Sequence, residues 1–127
     1  MKVVEHRITG KPQSGKTTSM VLQAKAFSAA GMKCLYVVPS HEMAHFYSRT
    51  HFSSEVQVNH ALNVDLSDLK VGCKGGFGAV FFDDVDAYPG TSKREIEAGL
   101  KKLKADSDGA GFVQIFIAVT DNPVKPL

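Results

Sequence analysis

Residues 10–17 read GKPQSGKT, and how this stretch is read decides the fold of the chain. It fits the pattern G-x-x-x-x-G-K-[ST], a loop that wraps an anion in main-chain amides. Glycines let the backbone curl so that consecutive N–H groups point inward, at the positive end of the helix that follows. Gly10 and Gly15 supply the permissive dihedrals, and Lys11, Pro12, Gln13 and Ser14 form the loop between them. Lys16 can reach the outer phosphates of a nucleotide, the Thr17 hydroxyl can ligate Mg2+, and Thr18 can add a further phosphate contact. The mechanism needs a strand before the loop and a helix after it. Residues 3–9 read as a strand, and residues 16–30 read as a helix stopped by Gly31.

A second stretch competes. Residues 41–51 read HEMAHFYSRTH, in which His41, Glu42 and His45 fit the zinc-protease pattern H-E-x-x-H, with His51 where a third ligand is expected. A zinc site needs imidazoles turned toward a cleft and an open coordination position. At about 100° per residue, Met43, Phe46 and Tyr47 mark the apolar side of this helix, and the two histidines fall nearly opposite. The longer pattern also wants glycine three residues after the second histidine, where Ser48 stands. A solvated histidine face, able to pick up transition metals adventitiously through its i, i+4 pair, is the preferred reading.

The rest of the chain favours the phosphate loop. Short β-type runs alternate with helical patterns, the signature of an α/β fold with a mainly parallel sheet. Residues 33–38 (KCLYVV) form a second strand, and Ser40 can cap a helix running to about residue 50. Residues 56–61 are a weaker strand, 63–70 a loop or one helical turn, and 72–78 (GCKGGFG) a connector. Residues 79–83 (AVFFD) are an apolar run ending in acid, the Walker B pattern, which would carry Asp83 to Mg2+ on the same sheet edge as the loop. A third helix is expected to start near Ser92, with Ser92 and Glu95 as a capping box and a stripe of Ile96, Leu100 and Leu103. Residues 112–120 (FVQIFIAVT) are the last strand, followed by Asp121 and Asn122 where a γ-phosphate or water sensor would stand. The first strand alternates Val4, His6, Ile8 with Val3, Glu5, Arg7, so it should be an edge strand or have a face open to water.

Composition narrows the classes. A chain of 127 residues predicts a single domain. A net charge of +2 is too small a bias to imply a nucleic-acid partner by itself. The two cysteines, Cys34 and Cys73, read as buried free thiols in a reducing compartment. No apolar run reaches the length of a membrane span and no signal peptide is evident, so a cytoplasmic protein without a membrane partner is expected.

Through GKPQSGKTT and AVFFDD the chain resembles the P-loop NTPases of the additional-strand group, which includes RecA-like and AAA+-type ATPases. The resemblance spans residues 3–122. It implies a three-layer α/β/α core and a minimal Mg2+-dependent ATPase. In such a site Lys16 is the phosphate cation, Thr17 and Asp83 hold Mg2+, Asp84 orients water and Asn122 acts as sensor. Asp84 stands where the group usually has Glu, one methylene longer. In these enzymes an inserted strand separates Walker A from Walker B, and the strand at 33–38 looks similar. The group's usual fifth strand is missing, and no arginine finger is identifiable, Arg7, Arg49 and Arg94 being the candidates. The stretch from PQSGKTTS to VVPS, followed by DDVDAYP, is also similar to type II thymidine kinases, without their zinc region and lasso loop. The alternatives to an ATPase are therefore a non-hydrolysing nucleotide-binding module and a nucleoside-kinase remnant. A nucleic-acid-related or viral role is the expectation by analogy, with KKLK at 101–104 as a weak phosphate-backbone contact. A homo-oligomer is expected from the unpaired strand edge.

Overall fold

Strongly apolar strands need cover on both faces, and here they receive it. The computed structural model describes residues 2–11, 15–66, 69–72, 75–105 and 111–120. Five strands, β1 (Lys2–Gly10), β2 (Cys34–Val38), β3 (Gln57–His60), β4 (Ala79–Phe82) and β5 (Phe112–Thr120), form one sheet in the order β1-β5-β4-β2-β3. Every neighbouring pair is parallel. Helices α1 (Lys16–Ala29) and α2 (His41–Thr50) pack on one face, and α3 (Gly90–Ala105) packs on the other.

The period of two in each strand sorts side chains between these layers. On the α1/α2 side lie Cys34, Tyr36, Val38, Ala79, Phe81, Phe116 and Ala118, against Met20, Val21 and Ala24 of α1 and Ala44 and Tyr47 of α2. On the α3 side lie Leu35, Val37, Val80, Phe82, Val113, Ile115 and Ile117, against Ile96 and Leu100. Every residue of β2 and β4 is buried, as the continuous apolar runs require. Gly99 lets α3 approach closely, since a Cβ there would sit 2.8 Å from Leu66 Cβ.

One row crosses four strands at a single register. His6, Phe116, Phe81 and Tyr36 are successive cross-strand partners. His6 stacks on Phe116 at 4.3 Å, Phe116 on Phe81 at 4.6 Å, and Phe81 on Tyr36 at 5.9 Å between ring centroids. Cross-strand pairs of this kind contribute about 0.2–1 kcal/mol each, so the row pins the register of β1 against the centre of the sheet.

β1 is an edge strand, as its alternation predicts, and its polar residues have definite partners. Arg7 pairs with Glu5 on its own strand and with Glu97 of α3 at 3.2 Å, and Lys104 of α3 also pairs with Glu5. Lys104, the last lysine of KKLK, is thus engaged with the sheet edge.

Three expectations are corrected. The strand between the one carrying the glycine loop and the one carrying Asp83 is β5, whereas β2, at 34–38, lies on the far side of β4. Helix α3 begins at Gly90, two residues before the expected cap; the Pro89 carbonyl accepts from Lys93 N at 3.1 Å, and Ser92 is buried inside the first turn. The Pro89 carbonyl thus accepts the first bond of the helix, the place expected for Ser92. In α2, Phe46 is 50% exposed, and Ala44 takes its place beside Tyr47 on the buried side. Ser40 does cap α2, its Oγ accepting from Met43 N at 3.2 Å.

Candidate functional site at the C-terminal edge of the sheet

Parallel strands all end on one side, and Lys16 and Thr17 at the start of α1 meet the acid of the AVFFDD run there. β1 ends at Gly10, beside Thr120 of β5, and α1 begins after Gly15. Gly15 has φ 88°, a left-handed conformation that costs glycine least, and this turn aims the start of α1 back at the sheet. Lys16 reaches back to the end of β1: its Nζ donates to the carbonyls of Gly10 and Lys11, both at 2.9 Å. An ammonium held only by carbonyls can exchange them for a stronger anionic acceptor.

Thr17, in the first turn of α1, donates from Oγ1 to Asp83 Oδ1 at 3.3 Å. Asp83 follows β4 directly and is 2% exposed. Its other oxygen, Oδ2, accepts from the Tyr36 hydroxyl at 2.7 Å, and its N–H donates to Val37 O at 3.0 Å. A buried carboxylate needs such donors, because an unpaired one costs several kcal/mol. The Val37 carbonyl also accepts from the Tyr88 hydroxyl at 2.9 Å, tying the segment after Asp83 to β2. Tyr36 thus braces the acid directly, and Tyr88 shares with Asp83 N–H the carbonyl of Val37. Burial first, and then the charge of Asp83, pushes both phenols well above the ordinary tyrosine range, so both remain hydrogen-bond donors.

Asp84 has φ 55° and ψ 50°, the one non-glycine residue of positive φ among the described residues. A left-handed aspartate is uncommon and strained; such outliers gather at functional sites. Its carboxyl is raised above the ordinary aspartate value, mainly by burial and further by the charges of Asp83 and Asp86, with Lys16 opposing.

The sequence therefore points to Gly10, Lys11, Gly15, Lys16, Thr17 and Asp83, and these are brought together. Asp84 lies alongside them. Thr18 is exposed on α1. Pro12, Gln13, Ser14, Asp121 and Asn122 lie outside the described residues, as does Cys73. Tyr36 and Tyr88 are not singled out by the sequence; the available signal was a phenol inside the otherwise apolar run CLYVV. Thr17 and Asp83 offer a hydroxyl and a carboxylate, hard oxygen donors of the kind Mg2+ prefers, and so fit that ion.

The competing motif lies elsewhere on the same sheet edge. His41 and His45 are exposed on α2 and line an open cleft of about 360 Å3 with Asn59, His60 and Asn63. His51 turns away and packs edge-on against Tyr47 at 4.6 Å. Among the described residues, no group of three or more His, Cys, Asp or Glu is gathered to hold a metal ion. Cys34 is a buried free thiol pushed up to about 11 by burial, and is unreactive at neutral pH for that reason. No helix among the described residues is long and apolar enough to cross a membrane.

No protein-family model matches the chain, and no curated protein matches it in sequence.

Proposed function

We propose that the chain is a P-loop NTPase with a three-layer α/β/α core, which binds a nucleoside triphosphate, ATP by resemblance, with Mg2+ and hydrolyses it. One observation carries the reading. The Thr17 hydroxyl and the Asp83 carboxylate, 66 positions apart in the chain, lie 3.3 Å apart beside a lysine bonded to the carbonyl of Gly10. A chance glycine turn gives no reason for a buried acid to face the second residue of the following helix.

In this reading Thr17 and Asp83 would hold the metal, which when bound neutralises charge developing on the phosphates. Lys16 releases the Gly10 and Lys11 carbonyls and takes a phosphate oxygen. Tyr36 fixes the orientation of Asp83 through Oδ2, leaving Oδ1 for the shared position with Thr17. Asp84 orients the attacking water and accepts its proton. The raised affinity of Asp84 for a proton suits a base better than an ordinary surface aspartate would.

The short Asp84 side chain also favours the second reading, a module that binds nucleotide without turning it over. Phosphate release by the wild type, Lys16→Ala and Asp84→Asn, alongside calorimetric titration with Mg-ATP, separates the two. Turnover lost in both variants, with binding kept in Asp84→Asn, supports hydrolysis. Binding without turnover in the wild type supports the module. Failure of the wild type to bind any nucleoside triphosphate in Mg2+ removes both.

A further inference from the structure

The two edges of the sheet differ sharply. β3 ends one side with four residues, a length that natural sheets use to protect an edge. β1 ends the other side with nine consecutive residues, free of proline and bulge, paired in unbroken register, among the described residues, to β5 alone. In a parallel ladder alternate residues bond to one neighbour, and the others turn their N–H and C=O outward. Lys2 N donates to Gly111 O at 3.0 Å, so the even-numbered residues of β1 face β5. Val3, Glu5, Arg7 and Thr9 therefore present their main-chain groups at the open edge.

We propose that this edge pairs with β1 of a second copy of the chain, antiparallel about a two-fold axis through His6. The choice of partner follows from self-complementarity. In the register centred on His6, Glu5 of one copy faces Arg7 of the other and Val3 faces Thr9, each pair joining residues whose amides point outward. Hydrogen-bond parity and charge parity thus agree in the same register. Centring on Glu5 or on Arg7 sets like charges directly opposite, and centring between residues pairs an outward amide with an inward one. A two-fold interface must be self-complementary, and this strand satisfies that condition in the register of fullest overlap. Glu5 is held on the α3 side by Lys104, and Arg7 by Glu97, so both charges are already fixed at the edge before the second copy arrives. The result is a continuous ten-stranded sheet, two copies of the five described, with a row of aromatic and imidazole rings running through His6 from one copy into the next.

Sedimentation velocity across a wide concentration range, on the full chain, tests for the dimer. Register is tested by disulfide capture in a chain carrying Cys73→Ser. His6→Cys places a thiol opposite its own mate, in a non-hydrogen-bonded pair whose Cα separation of roughly 4.5 Å suits a disulfide. Val4→Cys and Ile8→Cys face each other's positions and not their own. The expected result is a covalent dimer from His6→Cys and none from the other two. Glu5→Lys should weaken dimerisation by about tenfold or more. Val3→Pro, which removes an outward N–H at an edge that tolerates proline, should also weaken the dimer while leaving the thermal melt of the monomer in place. A chain that stays monomeric at every concentration overturns the proposal. So does capture at Val4 or Ile8 in preference to His6, or a monomer that dimerises only when residues 121–127 are removed, which would make that tail the edge's occupant.

Discussion

Two regions of this molecule carry a motif that sequence patterns single out, and the structure treats them in opposite ways. Beside Gly10 and Gly15, described polar side chains converge from separate elements: Lys16 bonds the end of β1, Thr17 of α1 reaches Asp83 after β4, and Asp83 accepts from Tyr36 of β2. At His41 and His45, the side chains sit on one helix, in an open cleft, with His60 the nearest ring at 5.4 Å from His41. Both motifs are short strings. The difference is convergence: buried polar groups must be satisfied, so a pattern whose members meet across the core carries information that a pattern along one exposed helix does not.

The largest test of that contrast exchanges the two regions' roles in turnover. Lys16→Ala should reduce Mg-dependent phosphate release by about a hundredfold or more, the loss typical of removing a charge-stabilising group. His41→Ala combined with His45→Ala should leave it unchanged. The reverse pattern, in a phosphate-release assay, would break the comparison outright.

Next in size is the stability of the braced acid. Tyr36→Phe leaves Asp83 Oδ2 without its donor in a site 2% exposed, and should cost about 1–3 kcal/mol in urea unfolding. His41→Ala or His45→Ala, each at an exposed position, should stay within about 0.5 kcal/mol. Equal losses at the two sites would mean that Asp83 is solvated in a way its burial does not suggest.

The smallest effect is the pH dependence of Asp84. Its folded carboxyl binds a proton more tightly than the unfolded one, so its contribution makes stability fall as pH climbs from the ordinary aspartate value through the raised one. Asp84→Asn should remove that fall, raising the melting temperature modestly near neutrality, with the charge-dependent part of the gain disappearing below the ordinary aspartate range. The gain is small because the carboxyl is partly solvated. A gain that grew toward acid pH would contradict the raised affinity.

Much of the fold was legible. β4 and β5 were visible as continuous apolar runs, β1 as an alternating edge, and α1 and α2 from their stop and cap signals. Errors arose where two local signals compete. Ser92 with Glu95 looks like a capping box, yet Pro89 three residues earlier starts the helix first. Phe46 looks like core, yet the helix turns Ala44 inward because β3 packs close to α2. The place of β2 beyond β4 could not be read from order along the chain, because parallel strands joined by crossovers need not be neighbours.

By itself the sequence determined the alternation of strands and helices, the loop of Gly10 and Gly15, and the acid that ends the AVFFD run. These depend on local periodicity and on backbone freedom, which neighbouring residues carry. Only the tertiary structure decided that β5 intervenes between β1 and β4, that Tyr36 and Thr17 share the carboxylate of Asp83, and that β1 faces outward with Glu5 and Arg7 held by α3. Such pairings join residues far apart along the chain, and burial of both faces of the sheet, which no local window contains, selects among them.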